Sequence, residues 1–165
     1  MARSNKPLPP LDERISFLIH RISARVFLIC NPYFREYGID LHNSRMLVIL
    51  MENEEARVGD LVSRMVLPQS TISHQILQLE KRGLVKRKRA EDDSRSVTVS
   101  LTKKGREVAQ LCNTLSSDVY QAMVEGMSQA ELKQLRQQLR DIFDRLDAFE
   151  SERRRLAEQA EQTEE

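Results

Sequence analysis

Ser70, Thr71, Ser73, His74 and Gln75 stand in one short uncharged run of the 165-residue sequence, five small or hydrogen-bonding side chains around a single isoleucine. Side chains of this kind reach base edges in a duplex groove: a glutamine matches the paired donor and acceptor of adenine, and a threonine methyl packs on that of thymine. Just downstream, Lys81, Arg82, Lys86, Arg87, Lys88 and Arg89 form a dense cationic run suited to phosphate oxygens. Asp93 and Arg95 follow, an acid two residues before a guanidinium. A second constellation joins Ser16, His20, Ser23 and Phe27 to Tyr37, His42 and Arg45. Small polar groups, an imidazole, a ring, a phenol and a guanidinium are what a pocket for an aromatic acid requires. The same seven residues also fit an ordinary surface or interface.

Other chemistries lack their residues. Cys30 and Cys112 are far apart, with no CxxC pair and no Cys/His spacing suited to zinc, and the five glycines make no phosphate-cradling loop. No acid–base pair or nucleophile constellation can be assembled, so we expect no enzyme, no cofactor and no metal.

The elements that must position these residues can be read from periodicity. Pro7, Pro9 and Pro10 mark a flexible arm, after which Leu11, Ile15, Leu18, Ile19, Ile22, Val26 and Ile29 recur at helical spacing, predicting a long helix that ends near Asn31-Pro32. Ser16, His20, Ser23 and Phe27 share a different face of it. Gly38 breaks the next segment, and Ser44 to Met51 reads as a core helix from its Met and Leu content. A short helix over Val58 to Met65 buries Val58, Leu61, Val62 and Met65. Pro68 then opens the first turn of a helix that runs to Arg82, buries Ile72, Ile76 and Leu79, and stops at Gly83.

Leu84-Val85 and then Val97, Val99 and Leu101 alternate with polar residues around the turn-rich Glu91-Asp92-Asp93-Ser94, predicting two strands joined by a charged hairpin. Thr102 is positioned to cap a helix ending near Gly126, and Ser128 with Glu131 makes a capping box for another. In that last helix Leu132, Leu135, Leu139, Ile142, Leu146 and Phe149 alternate spacings of three and four, a coiled-coil-like seam. The seam and the first helix's stripe both need a partner, and a two-fold homodimer buries both.

The expected fold is therefore mainly α with a small β-wing (α+β): a winged helix-turn-helix DNA-binding region over residues 36–101, and a helical dimerisation region built from 1–35 and 102–165. Net charge is only +1, yet the basic centre and the acidic tail at Glu158, Glu161, Glu164 and Glu165 give one cationic face. No run approaches the roughly 20 apolar residues of a membrane span, and the N-terminus lacks an apolar signal core, so a cytoplasmic location is expected.

With these elements placed, the chain resembles the MarR family of bacterial winged-helix transcription regulators. The resemblance is carried by Leu79-Glu80-Lys81-Arg82-Gly83-Leu84-Val85-Lys86-Arg87, by Asp92-Asp93-Ser94-Arg95-Ser96 and by Leu101-Thr102-Lys103-Lys104-Gly105. It implies a dimeric repressor on a palindromic operator in double-stranded DNA, released by a small-molecule effector such as an aromatic acid or its CoA thioester. It also implies base and phosphate contacts from Ser70, Thr71, Ser73, His74 and Gln75, phosphate contacts from Arg87, Lys88 and Arg89, and Asp93 aiming Arg95 at the minor groove. Two alternatives stay open: a winged-helix module that binds an acidic protein, and a redox-sensing regulator acting through Cys30.

Overall fold

A computed structural model describes residues 7–89 and 97–164. In chain order it contains a short 3-10 turn, Leu11–Glu13, then α1 Ile15–Arg35, α2 Leu41–Asn53, β1 Glu55–Arg57, α3 Val58–Met65, α4 Gln69–Lys81, β2 Val85–Arg89, β3 Val97–Leu101, α5 Lys103–Val124 and α6 Gln129–Glu164. The helices and wing read from the sequence are these elements, and the larger departures are at the end of α1 and in the sheet.

The first concerns α1, which passes through Pro32 instead of stopping there. Proline cannot donate to the carbonyl one turn back, a loss that normally ends a helix. Burial on both sides of it holds the backbone helical: Cys30, Asn31 and Phe34 are the buried residues of α1, and Asn31 Oδ1 accepts the backbone N–H of Leu41 at 3.1 Å inside the protein. The stop comes at Gly38, whose φ of +67° lets Gly38 N–H reach Arg35 O and Ile39 N–H reach Phe34 O. Helix α2 then starts at Asp40, whose carboxylate accepts from Asn43 N–H at 2.8 Å.

The second correction is a third strand. The sheet is antiparallel in the order β1-β3-β2, so β3 lies in the middle. The segment Glu55-Ala56-Arg57 is too short and too charged to show alternation. It becomes a strand because β3 runs alongside, with Ala56 opposite Val99.

The chain divides into two compact units, Met1–Val119 and Tyr120–Glu165. In the first, Met46, Leu47 and Leu50 of α2, Leu61 of α3, Ile72, Ile76 and Leu79 of α4, and Leu84, Val85, Val99 and Leu101 of the wing form one core with Val108, Ala109 and Cys112 of α5. Val58, Val62 and Met65 pack against it half-buried. In the second, Ser128 and Glu131 close the capping box in both directions, at 2.8 Å from Ser128 N–H and 3.3 Å from Glu131 N–H. Leu132 is buried, whereas Leu139, Leu146 and Phe149 farther along the seam are 47%, 61% and 63% exposed.

Candidate nucleic-acid interface

Helix α4 is held by one face and offers the other. Ile72, Ile76 and Leu79 are fully buried, and at 100° per residue the opposite side is the row Ser70, His74, Leu77 and Lys81. All four are exposed. Thr71, Ser73 and Gln75 flank that row, half-buried. The Gln75 side-chain carbonyl is buried without a hydrogen-bond partner among the described residues.

Leu77 is the member of the row that sequence reading missed. The signal was present as the spacing 70, 74, 77, 81, but a leucine in a helix reads as core until the core is known. At the front of α4, Pro68 is the cap residue and not the first helical one, and it supplies no side-chain cap. The first-turn N–H groups therefore lack partners from their own helix. The preceding turn contains Val66 in the left-handed region, φ 53° and ψ 46°, with its side chain exposed.

The far end of α4 is a junction. Gly83 at φ +70° closes the helix, with Gly83 N–H to Glu80 O and Leu84 N–H to Leu79 O. Thr102 Oγ1 donates to Gly83 O at 2.7 Å and accepts from Gly105 N–H at 2.9 Å, so one hydroxyl ties the end of α4 to the cap of α5. Lys104 Nζ adds a bond to Arg82 O at 3.1 Å. These bonds join the Leu101 to Gly105 block to the end of the Leu79 to Arg87 block.

The wing carries Lys86, Arg87, Lys88 and Arg89 on β2, all exposed, with Arg87 opposite Val99 and Arg89 opposite Val97. The six cations are not equivalent. Arg87 is engaged by Glu80, and Arg82 lies over Gly38, where an added Cβ would come 1.9 Å from Nη1 of the guanidinium. Asp93 and Arg95 lie outside the described residues.

The effector candidates fall into two groups. Ser16, His20, Ser23 and Phe27 form one exposed row on α1, with His20 stacked on Phe17 at 6.3 Å between ring centroids. Tyr37, His42 and Arg45, also exposed, belong to the α1–α2 corner. Arg45 reaches the electrostatic neighbourhood of Cys30. Both thiols are buried and free. Desolvation raises Cys30 above its ordinary pKa and pushes Cys112 up to about 11, so at neutral pH each is a protonated small hydrophobe, poorly suited to attack a peroxide. Among the described residues no helix is long and apolar enough to cross a membrane.

Residues 29–111, half of the chain, match the family model "Transcriptional regulator SarA/Rot". The transcriptional regulator SarZ of Staphylococcus epidermidis is 25% identical over 132 residues, 80% of this chain and 88% of that protein. A MarR family regulator from Listeria monocytogenes, solved with 26mer DNA, superposes with a TM-score of 0.76 at 23% identity over 81% of this chain and 89% of that one. CouR from Rhodococcus jostii, solved with p-coumaroyl-CoA, does so with a TM-score of 0.70 at 24% identity over 82% and 95%. The structural likenesses establish the winged helix-turn-helix fold expected from the sequence.

Proposed function

We propose, from the premise that this chain belongs to the SarA/Rot family of DNA-binding transcriptional regulators, with the MarR-type winged-helix fold, that it works as a homodimeric repressor on a palindromic operator. The observation that carries the reading is the outward row on α4 beside the cationic strand β2. Ser70, Thr71, Ser73, His74 and Gln75 enter the major groove, and Leu77 offers an apolar surface to a thymine methyl. The uncapped first turn of α4 receives a phosphate oxygen. Lys88 and Arg89 take further phosphates, with Arg87 beside them, while Asp93 and Arg95 at the wing tip reach the minor groove.

The dimer is supported by apolar residues that each unit leaves uncovered. On α1, Ile15, Ile22 and Ile29 are 59%, 52% and 44% exposed, and the α6 seam is open as described above. Pairing the regions 1–35 and 102–165 with a second copy covers both stripes and sets two α4 helices to face successive major grooves, about 34 Å apart. An effector that prefers a dimer with the wrong spacing lowers operator affinity by its differential binding energy. Ser16, His20, Ser23 and Phe27, with Tyr37, His42 and Arg45, are its proposed contacts, and an aromatic acid or its CoA thioester is the proposed class. The CoA-thioester complex of the CouR neighbour supports that class. Such a regulator works in the cytoplasm, where its operator is.

The test is titration of the purified protein against duplex from the region flanking its own gene, first over salt and then with a panel of aromatic acids and their CoA thioesters. Tight, salt-sensitive, sequence-selective binding reversed by one compound is the expected result. Binding without sequence selectivity would overturn the operator reading in favour of a protein-interaction module.

A further inference from the structure

Glu80 sits in the last turn of α4, where the carbonyl end of a helix disfavours negative charge. Its position is explained by what it holds. Glu80 Oε2 accepts Nε–H of Arg87 at 2.9 Å and lies 2.6 Å from an Nη of the same guanidinium. Arg87 is two residues beyond buried Val85 and opposite buried Val99, so strand alternation puts it on the core-facing side of β2 and Lys86 and Lys88 on the other. The hydrogen bond from Arg87 keeps the Glu80 carboxyl below its ordinary pKa, so the acid is charged at neutral pH. Both side chains remain partly open to solvent, 41% for Arg87 and 34% for Glu80. A screened pair of that kind contributes little to stability, and its effect is on geometry and on the count of available cations.

We propose that Glu80 is a specificity-determining residue: it ties the wing to the end of the reader helix and withholds Arg87 from phosphate, keeping sequence-independent binding weak. Every cation that reaches a phosphate strengthens binding to any sequence through counterion release. An acid on the reader helix that occupies one wing arginine lowers that background and leaves the base-reading row of α4 untouched. Arg82, a second cation of the run, places its guanidinium over Gly38.

The inference rests on the wing meeting DNA, and the experiment separates the two claims. Salt titrations are run with wild-type protein and the variants Glu80→Gln, Glu80→Gln/Arg87→Gln and Arg89→Gln. The probes are a random-sequence duplex and a duplex selected by the wild-type protein from a randomised pool, and thermal melts verify folding. Glu80→Gln is expected to steepen the salt slope on random duplex by about 0.9, one phosphate contact, and to lower the selected-to-random affinity ratio by roughly threefold or more. The double variant returns the slope to the wild-type value, because the released guanidinium is gone. An unchanged slope and ratio in Glu80→Gln, or a double variant that stays steep, overturns the role of Glu80. Arg89→Gln flattens the slope by about 0.9 where the wing touches phosphate; if it does not, the wing reading fails and the inference with it.

Discussion

Replacing Gly105 with alanine adds one methyl group, and the structure sets what that costs. Gly105 is buried in the first turn of α5, and a Cβ built there would lie 1.8 Å from the carbonyl oxygen of Leu84 and 2.8 Å from its carbon. Optimal non-bonded separations are about 3.5–4.0 Å, so α5 and the start of the wing must part by roughly 1.5 Å or more. The obstacle is backbone, with no flexible side chain to swing aside. The same oxygen accepts from Thr102 N–H at 3.0 Å, and the Thr102 hydroxyl bridges Gly83 O and Gly105 N–H, so opening the gap strains these bonds together. Overpacking of about 1–3 kcal/mol plus two weakened hydrogen bonds of about 1 kcal/mol each gives a loss of about 3–5 kcal/mol. At about 2–4 °C per kcal/mol for a chain of this size, the melting midpoint falls by roughly 6–20 °C.

The internal control is Gly59→Ala in α3, where nothing lies within 4 Å of an added Cβ and φ is not in the left-handed region. There the same methyl group stabilises by about 0.4–1 kcal/mol through the unfolded chain. Urea denaturation of the three proteins at one fixed concentration, followed by circular dichroism, measures both effects. A Gly105→Ala variant within about 1 kcal/mol of wild type would refute the steric reasoning.

Further outcomes follow from other parts of the molecule. Val66→Gly relieves a β-branched residue at positive φ and is expected to raise stability by about 1 kcal/mol in the same denaturation assay; a loss would mean that the exposed valine makes packing contacts that this structure does not contain. Leu146→Glu charges the open α6 seam and is expected to turn a dimer into a monomer in sedimentation at micromolar concentration; an unchanged mass would place the interface elsewhere. Cys112 has its folded pKa raised to about 11 from 9.0, so its stabilising contribution is complete below pH 9 and is lost as pH rises through the folded value. Stability is expected to fall by about 1–3 kcal/mol across that window in wild type and less in Cys112→Ala. Aromatic thiol reagents should label Cys30 only as fast as the chain opens, since its side chain is buried; labelling faster than unfolding would favour the redox alternative.

The parts of the site legible in the sequence are those written over a few neighbouring residues. Pro68 and Gly83 bracket α4, and a 3.6-residue period assigns Ile72, Ile76 and Leu79 to the core. Ser128 and Glu131 cap α6 over one turn, and Val97, Val99 and Leu101 alternate along β3. Each signal depends on backbone geometry within about one helical turn or strand pleat, which any chain of those residues obeys. That is why the reader helix, the wing strands and the order of helices are legible in the sequence.

Tertiary structure decided what depends on contacts between elements. Burial of Cys30, Asn31 and Phe34 carried α1 through Pro32, where the local rule predicts a stop. Pairing with β3 made a strand of Glu55–Arg57. Glu80 found Arg87, Arg82 found Gly38 and Gly105 found the carbonyl of Leu84, and none of these pairs is marked by residue type or period. Local patterns alone specify a winged-helix chain with a basic wing. That Arg87 meets Glu80 and Arg82 lies over Gly38 was set by packing, because a cation's neighbours in space are not recorded in local periodicity.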